Sequence, residues 1–458
     1  MAPMDPGHAD PARPGLRVSW AYSDRFLPRR VVRPLQEFLL TSTSGGVLLV
    51  AAALIALVWA NLPGDTYERL WRTHLSIGWG TGGIDENLRY WVNDGLMALF
   101  FLVVGLEIKR EVLSGELRAV RQAMLPVIAA VGGMVVPALL YFAVNADGPG
   151  ARGWGIAMPT DIAVTLGILT LAGATAPPGL KPFVLTLAIV DDILTIAVIA
   201  VFYPGELRAA PLMVAGAGCL LMFLLRRIHV HASVVYVALA GAIWVALHAS
   251  GVHPALAGVA VGFLTPAVPF QRPADVSEEA VRVADETVDD PEPPDADAHW
   301  WLRLSRLSKE AVSPLARVEH ALLPWTSFVV LPLFALANAG VALSATGLAH
   351  AVTSPVTLGI VLGRLAGKVA GIGLFTWLTV RSGIGRLPIG TRPGHVLGVA
   401  SAAGVAFAVS LFVAELAFPG RPDLLEQAKL GILASALIAG PIGVGLLRAA
   451  GRSDRASS

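Results

Sequence analysis

Charge is what this sequence lacks most. Asp, Glu, Lys and Arg supply 15% of its 458 residues, against about 25% in an ordinary soluble domain. A chain of this size with so few charges cannot cover its whole surface for water. The shortage is sharper than the total implies, because ten of the 33 acids crowd into Asp275–Asp297. Neither sign is in excess: 34 bases stand against 33 acids, which excludes a nucleic-acid binder working by bulk charge. A lone cysteine, Cys219 in an apolar run, excludes disulfides within the chain and Cys-rich metal sites. What is abundant is apolar: 55% hydrophobic residues and a mean hydropathy of +0.66. That balance specifies an all-α polytopic membrane protein.

Apolar stretches separated by short polar or Gly/Pro breaks lie at 45–62, 91–109, 122–144, 154–172, 182–203, 209–225, 232–250, 252–268, 320–342, 352–380, 394–418 and 430–447. Most have the ~17–25 residues that cross a hydrocarbon core as a helix. Continuous apolar runs, not alternation, rule out a membrane β-barrel. About twelve transmembrane helices are therefore predicted, eight over 45–268 and four over 320–447. Between them, 269–319 reads as an acidic, disordered linker. With an even count both termini share one side. Nineteen Lys and Arg fall on that side, the linker aside, against seven opposite, which makes 1–44 and 448–458 cytoplasmic tails. The Pro- and Arg-rich first 44 residues have no apolar core of a cleaved signal peptide. Gly-rich Asp65–Arg89 is expected to form a small external hairpin.

Ionisable residues within spans carry the functional information, since each costs about 2.5–3.5 kcal/mol at a helix centre and marks an ion or proton path by default. The strongest signal is LTLAIVDDILTIAVIA, where Asp191 and Asp192 are adjacent. Neighbours on a helix point ~100° apart, so one can hold a counter-charge while the other faces water. A purely structural pairing would need one Asp only. In GIAMPTDIAVTLGIL, Pro159 breaks the helix, Thr160 caps the next one, and Asp161 sits at its positive dipole end. Lys368, among Gly363, Gly367, Gly371 and Gly373, is placed to pair with Asp191 or to titrate. Arg364 lies one turn earlier on the same face, its role open. At the end of span two, Glu107, Lys109, Arg110 and Glu111 read equally well as a charged mouth or as a solvated helix end. His253 reads as an interfacial histidine more readily than as a sensor.

VNDGLMALFFLVVGLEIKRE (92–111), MPTDIAVTLGIL (158–169), LAIVDDILTIAVIAVFY (187–203), SGVHPALAGVAVGF (250–263) and VEHALLPWTSFVVLPLFALANAGV (318–341) resemble the NhaA-type sodium/proton antiporters, in order and over most of 35–450. The resemblance implies two inverted three-helix repeats, spans three to five and ten to twelve, with spans four and eleven broken where they cross. It implies that Asp191 and Asp192 bind the ion and carry protons, that Thr160 and Asp161 sit at the break, and that Lys368 pairs with Asp191. It links Glu107, Arg110, Glu111, Glu319 and His253 to pH response, and the 65–89 hairpin to a homodimer. There are departures. Val369 replaces the proline usual after the lysine, Arg364 replaces an apolar residue, Ala408 and Val409 replace Thr and Met, Glu415 is added, and the linker is longer.

The expected activity is secondary transport, with Na+ or Li+ leaving as H+ enters, electrogenic, activated by alkaline pH and without a cofactor. Both cations would compete at Asp191 and Asp192. Membrane lipid is the surround, and no nucleic acid is a partner. A sodium symporter for an organic solute would need a larger polar pocket, and no Asn, Gln or Ser cluster is there to line one. An intramembrane aspartyl protease lacks its GxGD signature here, and a scaffold would not need so many buried charges.

Overall fold

The structure, a computed structural model, describes residues 44–79, 82–173, 177–228, 233–288 and 294–457. The basic tail expected over 1–44 lies, but for Ser44, outside them. The chain opens with α1 (Ser44–Ala60), α2 (Thr66–Trp71) and a hairpin of β1 (His74–Trp79) and β2 (Gly82–Asn87). The strands pair antiparallel with Ile77 opposite Ile84, so the expected hairpin forms. A wide π-helical turn at Trp91–Leu96 leads into α3 (Met97–Ser114), then α4 (Val120–Asn145). A 3-10 segment, Ala151–Ala157, precedes α5 (Ile162–Ala172). Next come α6 (Leu180–Phe202), α7 (Ala209–Arg227), α8 (Ser233–Ser250) and α9 (Leu256–Leu264). After α10 (Pro273–Val288) and α11 (Pro294–Glu310) follow α12 (Pro314–Asn338), α13 (Ala345–Thr353) and α14 (Pro355–Arg381). The last are α15 (Pro393–Ala403), α16 (Ala408–Ala417) and α17 (Pro422–Ser457).

Each apolar stretch of the sequence contains one of these helices, though not all at full length. Among the described residues six helices are long and apolar enough to cross a membrane, or eight if each bent pair counts once. The stretch at 252–268 yields only the nine residues of α9, set off from α8 by a turn at Gly251 with φ +81°. The surface matches a hydrocarbon surround. On α1, Leu49, Ala52, Ala53 and Ala56 recur at helical spacing and bury against the end of α12, while Val50, Leu54, Ile55 and Val58 stay exposed.

Two features position the site. Gly132 on α4 and Gly371 on α14 face each other so closely that a Cβ on either would overlap the other's carbonyl oxygen. That contact lets the two backbones meet. The two bent pairs pack together, the 3-10 segment against α16 and α5 against α15. They kink by 43° between Ala157 and Ile162, and by 52° between Ala403 and Ala408.

The linker departs from expectation. Disorder was read from its acids and prolines, yet α10 and α11 are helices that pack on each other. Val276 and Val283 recur every seven residues and bury one face of α10, and Glu279 pairs with Arg282 at 2.7 Å and Arg303 at 3.5 Å. Asp275 and Glu278 lie exposed on the face of α10 away from the buried valines, an amphipathic pattern that bulk composition does not reveal.

A buried carboxylate site between two broken helices

The first break is built by local chemistry. Pro159 has no N–H to continue a helical ladder, and Asp161 is extended at φ −100° and ψ 110°. Its Oδ1 accepts from the Val164 N–H at 3.3 Å, capping α5. The cap expected of Thr160 thus belongs to Asp161. Thr160 is turned elsewhere: its Oγ1 accepts from Lys368 Nζ at 2.8 Å. An acid at the first turn also meets the positive end of the helix dipole.

Lys368 reaches this break from α14 and Asp191 reaches it from α6. The ammonium lies 3.2 Å from Asp191 Oδ2, and both side chains are only 1% exposed. Asp191 Oδ1 has no hydrogen-bond partner, although it is buried. Asp192, one residue on, makes no hydrogen bond or ion pair among the described residues and keeps 9% of its surface exposed. The adjacent carboxylates therefore have opposite circumstances, one tied to a cation and one unpaired. Asp191, Glu107 and Asp161 are the negative neighbours of Asp192, and Lys368 is the positive one.

The second break is occupied by Arg364. This guanidinium is fully buried. Its Nη2 donates to the Ala406 carbonyl at 2.5 Å and to Ser410 Oγ, and its Nη1 donates to Ser435 Oγ at 3.0 Å and the Ile432 carbonyl at 3.5 Å. Arg364 lies within a π-helical turn, Gly363–Gly367, that ends just before Lys368, and each side chain serves a different break.

The charged end of α3 is brought together with α12. Arg110 gathers three carboxylates, bonding Glu319 and lying 3.8 Å from Glu107 and 3.6 Å from Glu111. Lys109 Nζ donates to the Phe263 and Thr265 carbonyls at 2.7 and 2.5 Å. His253 is not in this cluster; its Nε2 is 3.2 Å from Asp94 Oδ1, with both groups largely buried. Sequence reasoning missed two polar contacts. Asn93 and Asn338 exchange amide hydrogen bonds at 2.6 and 3.2 Å. Lys429 is 5% exposed within α17 and pairs with Glu415 at 3.0 Å. The departure Glu415 is the signal that could have pointed to Lys429.

Buried carboxylates, buried cations and two packed broken helices in an apolar bundle are the features of an ion-handling protein of the membrane. Comparison makes this particular: the Na+/H+ antiporter 1 family matches residues 36–447, and the chain belongs to that family. A relative named Na(+)/H(+) antiporter NhaA, from Syntrophobacter fumaroxidans, is 45% identical over 425 residues, covering 91% of this chain and 90% of its own length. Na(+)/H(+) antiporter NhaA 3 of Frankia alni is 45% identical over 453 residues, covering 98% and 93%. A third, from Acidithiobacillus ferrooxidans, is 42% identical over 424 residues, covering 90% and 97%. The chain is accordingly a multi-pass membrane protein of an antiporter family.

Proposed function

We propose that this protein exports Na+, or the chemically similar Li+, in exchange for entering H+, with both cations competing for Asp191 and Asp192. The observation that carries the reading is the contrast between the two neighbours: Asp191 is held by Lys368, and Asp192 is left without a partner among the described residues. Na+ is a hard cation that takes oxygen ligands. Asp192 and the free Oδ1 of Asp191 offer carboxylate oxygens, with Thr160 Oγ1 close by on Lys368. A proton on the same oxygens removes the charge that holds Na+. When only loaded forms switch between inward- and outward-facing states, the two fluxes are forced to oppose each other.

The family resemblance extends the reading. More protons than sodium ions return per cycle, so export is electrogenic. The bundle has twelve spans, with inverted repeats formed by α4–α6 and α14–α17. Both termini are cytoplasmic in a bacterial inner membrane, as the Lys and Arg bias supports. Alkaline activation works through Glu107, Arg110, Glu111 and Glu319, with His253 acting separately through Asp94, and the β1–β2 hairpin joins two copies. The decisive test is Na+-induced proton release from acidified everted vesicles. Asp192→Asn is expected to abolish it while protein level and melting behaviour are kept; continued exchange by that variant would reject the site.

A further inference from the structure

We propose that Arg364 is a positioning residue of the exchange site, a fixed positive charge that ties the second break to α17 and offsets Asp161 in the first break. The proposal rests on the exchange reading above. Four observations support it. The side chain is fully buried, so it is not a surface charge folded inward. Its bonded acceptors are neutral: the Ala406 carbonyl in the break, Ser410 Oγ on α16, and Ser435 Oγ with the Ile432 carbonyl on α17. Asp161 caps the helix leaving the first break, which packs against the second, α5 against α15 and the 3-10 segment against α16. Lys368, four residues on, is committed to Thr160 and Asp191.

Two properties of the guanidinium can be separated. Its planar fork holds two elements at once, which an ammonium cannot reproduce. Its charge acts through a low-dielectric interior, where removing a cation makes the neighbouring carboxylates bind any monovalent cation, Na+ and H+ alike, more tightly. The fork therefore governs how the broken helices move together, and the charge governs how tightly the site holds its cations.

The experiment is Na+-dependent exchange in proteoliposomes at one alkaline pH, with KM and turnover read separately and folding checked by size-exclusion profile and melting. At an alkaline pH where the carboxylates are deprotonated, Arg364→Gln is expected to lower the Na+ KM about tenfold and to lower turnover. Arg364→Lys, which keeps the charge, should return KM to within about threefold of wild type while turnover stays low. Equal KM changes in both variants, or a folded Arg364→Gln with wild-type KM and turnover, overturns the proposal. If Arg364→Gln does not fold, Ser410→Ala combined with Ser435→Ala removes two acceptors while the guanidinium keeps its charge and the Ala406 and Ile432 carbonyls. That variant should lose turnover at unchanged KM, and wild-type turnover in it would also overturn the proposal. Absence of exchange in the wild-type protein itself would instead refute the antiport reading.

Discussion

At the scale of single residues, the site is governed by what burial costs a charge. Asp191 and Lys368 are each 1% exposed, and neither is tolerable alone. Removing one partner of such a pair costs about 3–5 kcal/mol, because the other stays buried without compensation. Lys368→Met should therefore lower the melting temperature markedly in detergent. Asp191 can escape the penalty by taking up a proton, so the deficit should be larger at alkaline than at acidic pH. Equal losses at both ends of a pH series would show that Asp191 is not the group left stranded. Thr160→Val removes a neutral acceptor from the same ammonium. Its cost is expected to be about 1 kcal/mol, read in the same melting series.

At the scale of elements, short local signals set the breaks and the hairpin. Asp161 caps α5, so Asp161→Ala should destabilise by about 1 kcal/mol through loss of the cap alone, with Asp161→Asn restoring most of it; chemical denaturation in detergent would read the difference. The hairpin is tied to α2 by Arg89 and Glu68 at 2.9 Å. Partial burial pushes the Glu68 carboxyl up, but the Arg89 hydrogen bond and charge outweigh that and hold it below the usual carboxylate range. A depressed folded value means the pair stabilises above the unfolded pKa of about 4.3 and that this is lost as pH falls through the folded value. Glu68→Gln should cost under about 1 kcal/mol at neutral pH, since the pair is partly exposed and solvent-screened, and the difference from wild type should vanish in strong acid. These elements were legible in sequence because their causes are local: a proline before a capping acid, a Gly-rich turn, two aspartates in an apolar run. Arg364 was not legible, because its acceptors come from positions 42 to 71 residues away. The α10–α11 pair was hidden for another reason, since acids and prolines mask a buried stripe at Val276 and Val283. Lys429 is hidden in sequence because it precedes the apolar stretch 430–447, whereas α17 begins at Pro422.

At the scale of the whole molecule, the proposed exchange makes a demand that no single contact can meet: the same carboxylates must be offered to Na+ from one side and to H+ from the other. Competition fixes the sign of the pH response. Where the site is mostly protonated, each fall of one pH unit should raise the apparent Na+ KM up to about tenfold per competing proton, with maximal turnover much less affected. A turnover that fell with acid at constant KM would place pH control outside the carboxylates, at the Arg110 cluster with Glu107, Glu111 and Glu319. Potential gives an independent handle. If more protons than sodium ions cross per cycle, net positive charge moves inward as Na+ leaves, and moving one charge across 100 mV is worth about 2.3 kcal/mol. Right-side-out vesicles with equal pH on both faces and an inside-negative potassium diffusion potential should therefore expel loaded Na+ against its gradient. Reversing the polarity should stop that export. Efflux indifferent to the polarity would mean that equal charges are exchanged, and it would leave the competition at Asp191 and Asp192 standing while removing the electrogenic part of the reading.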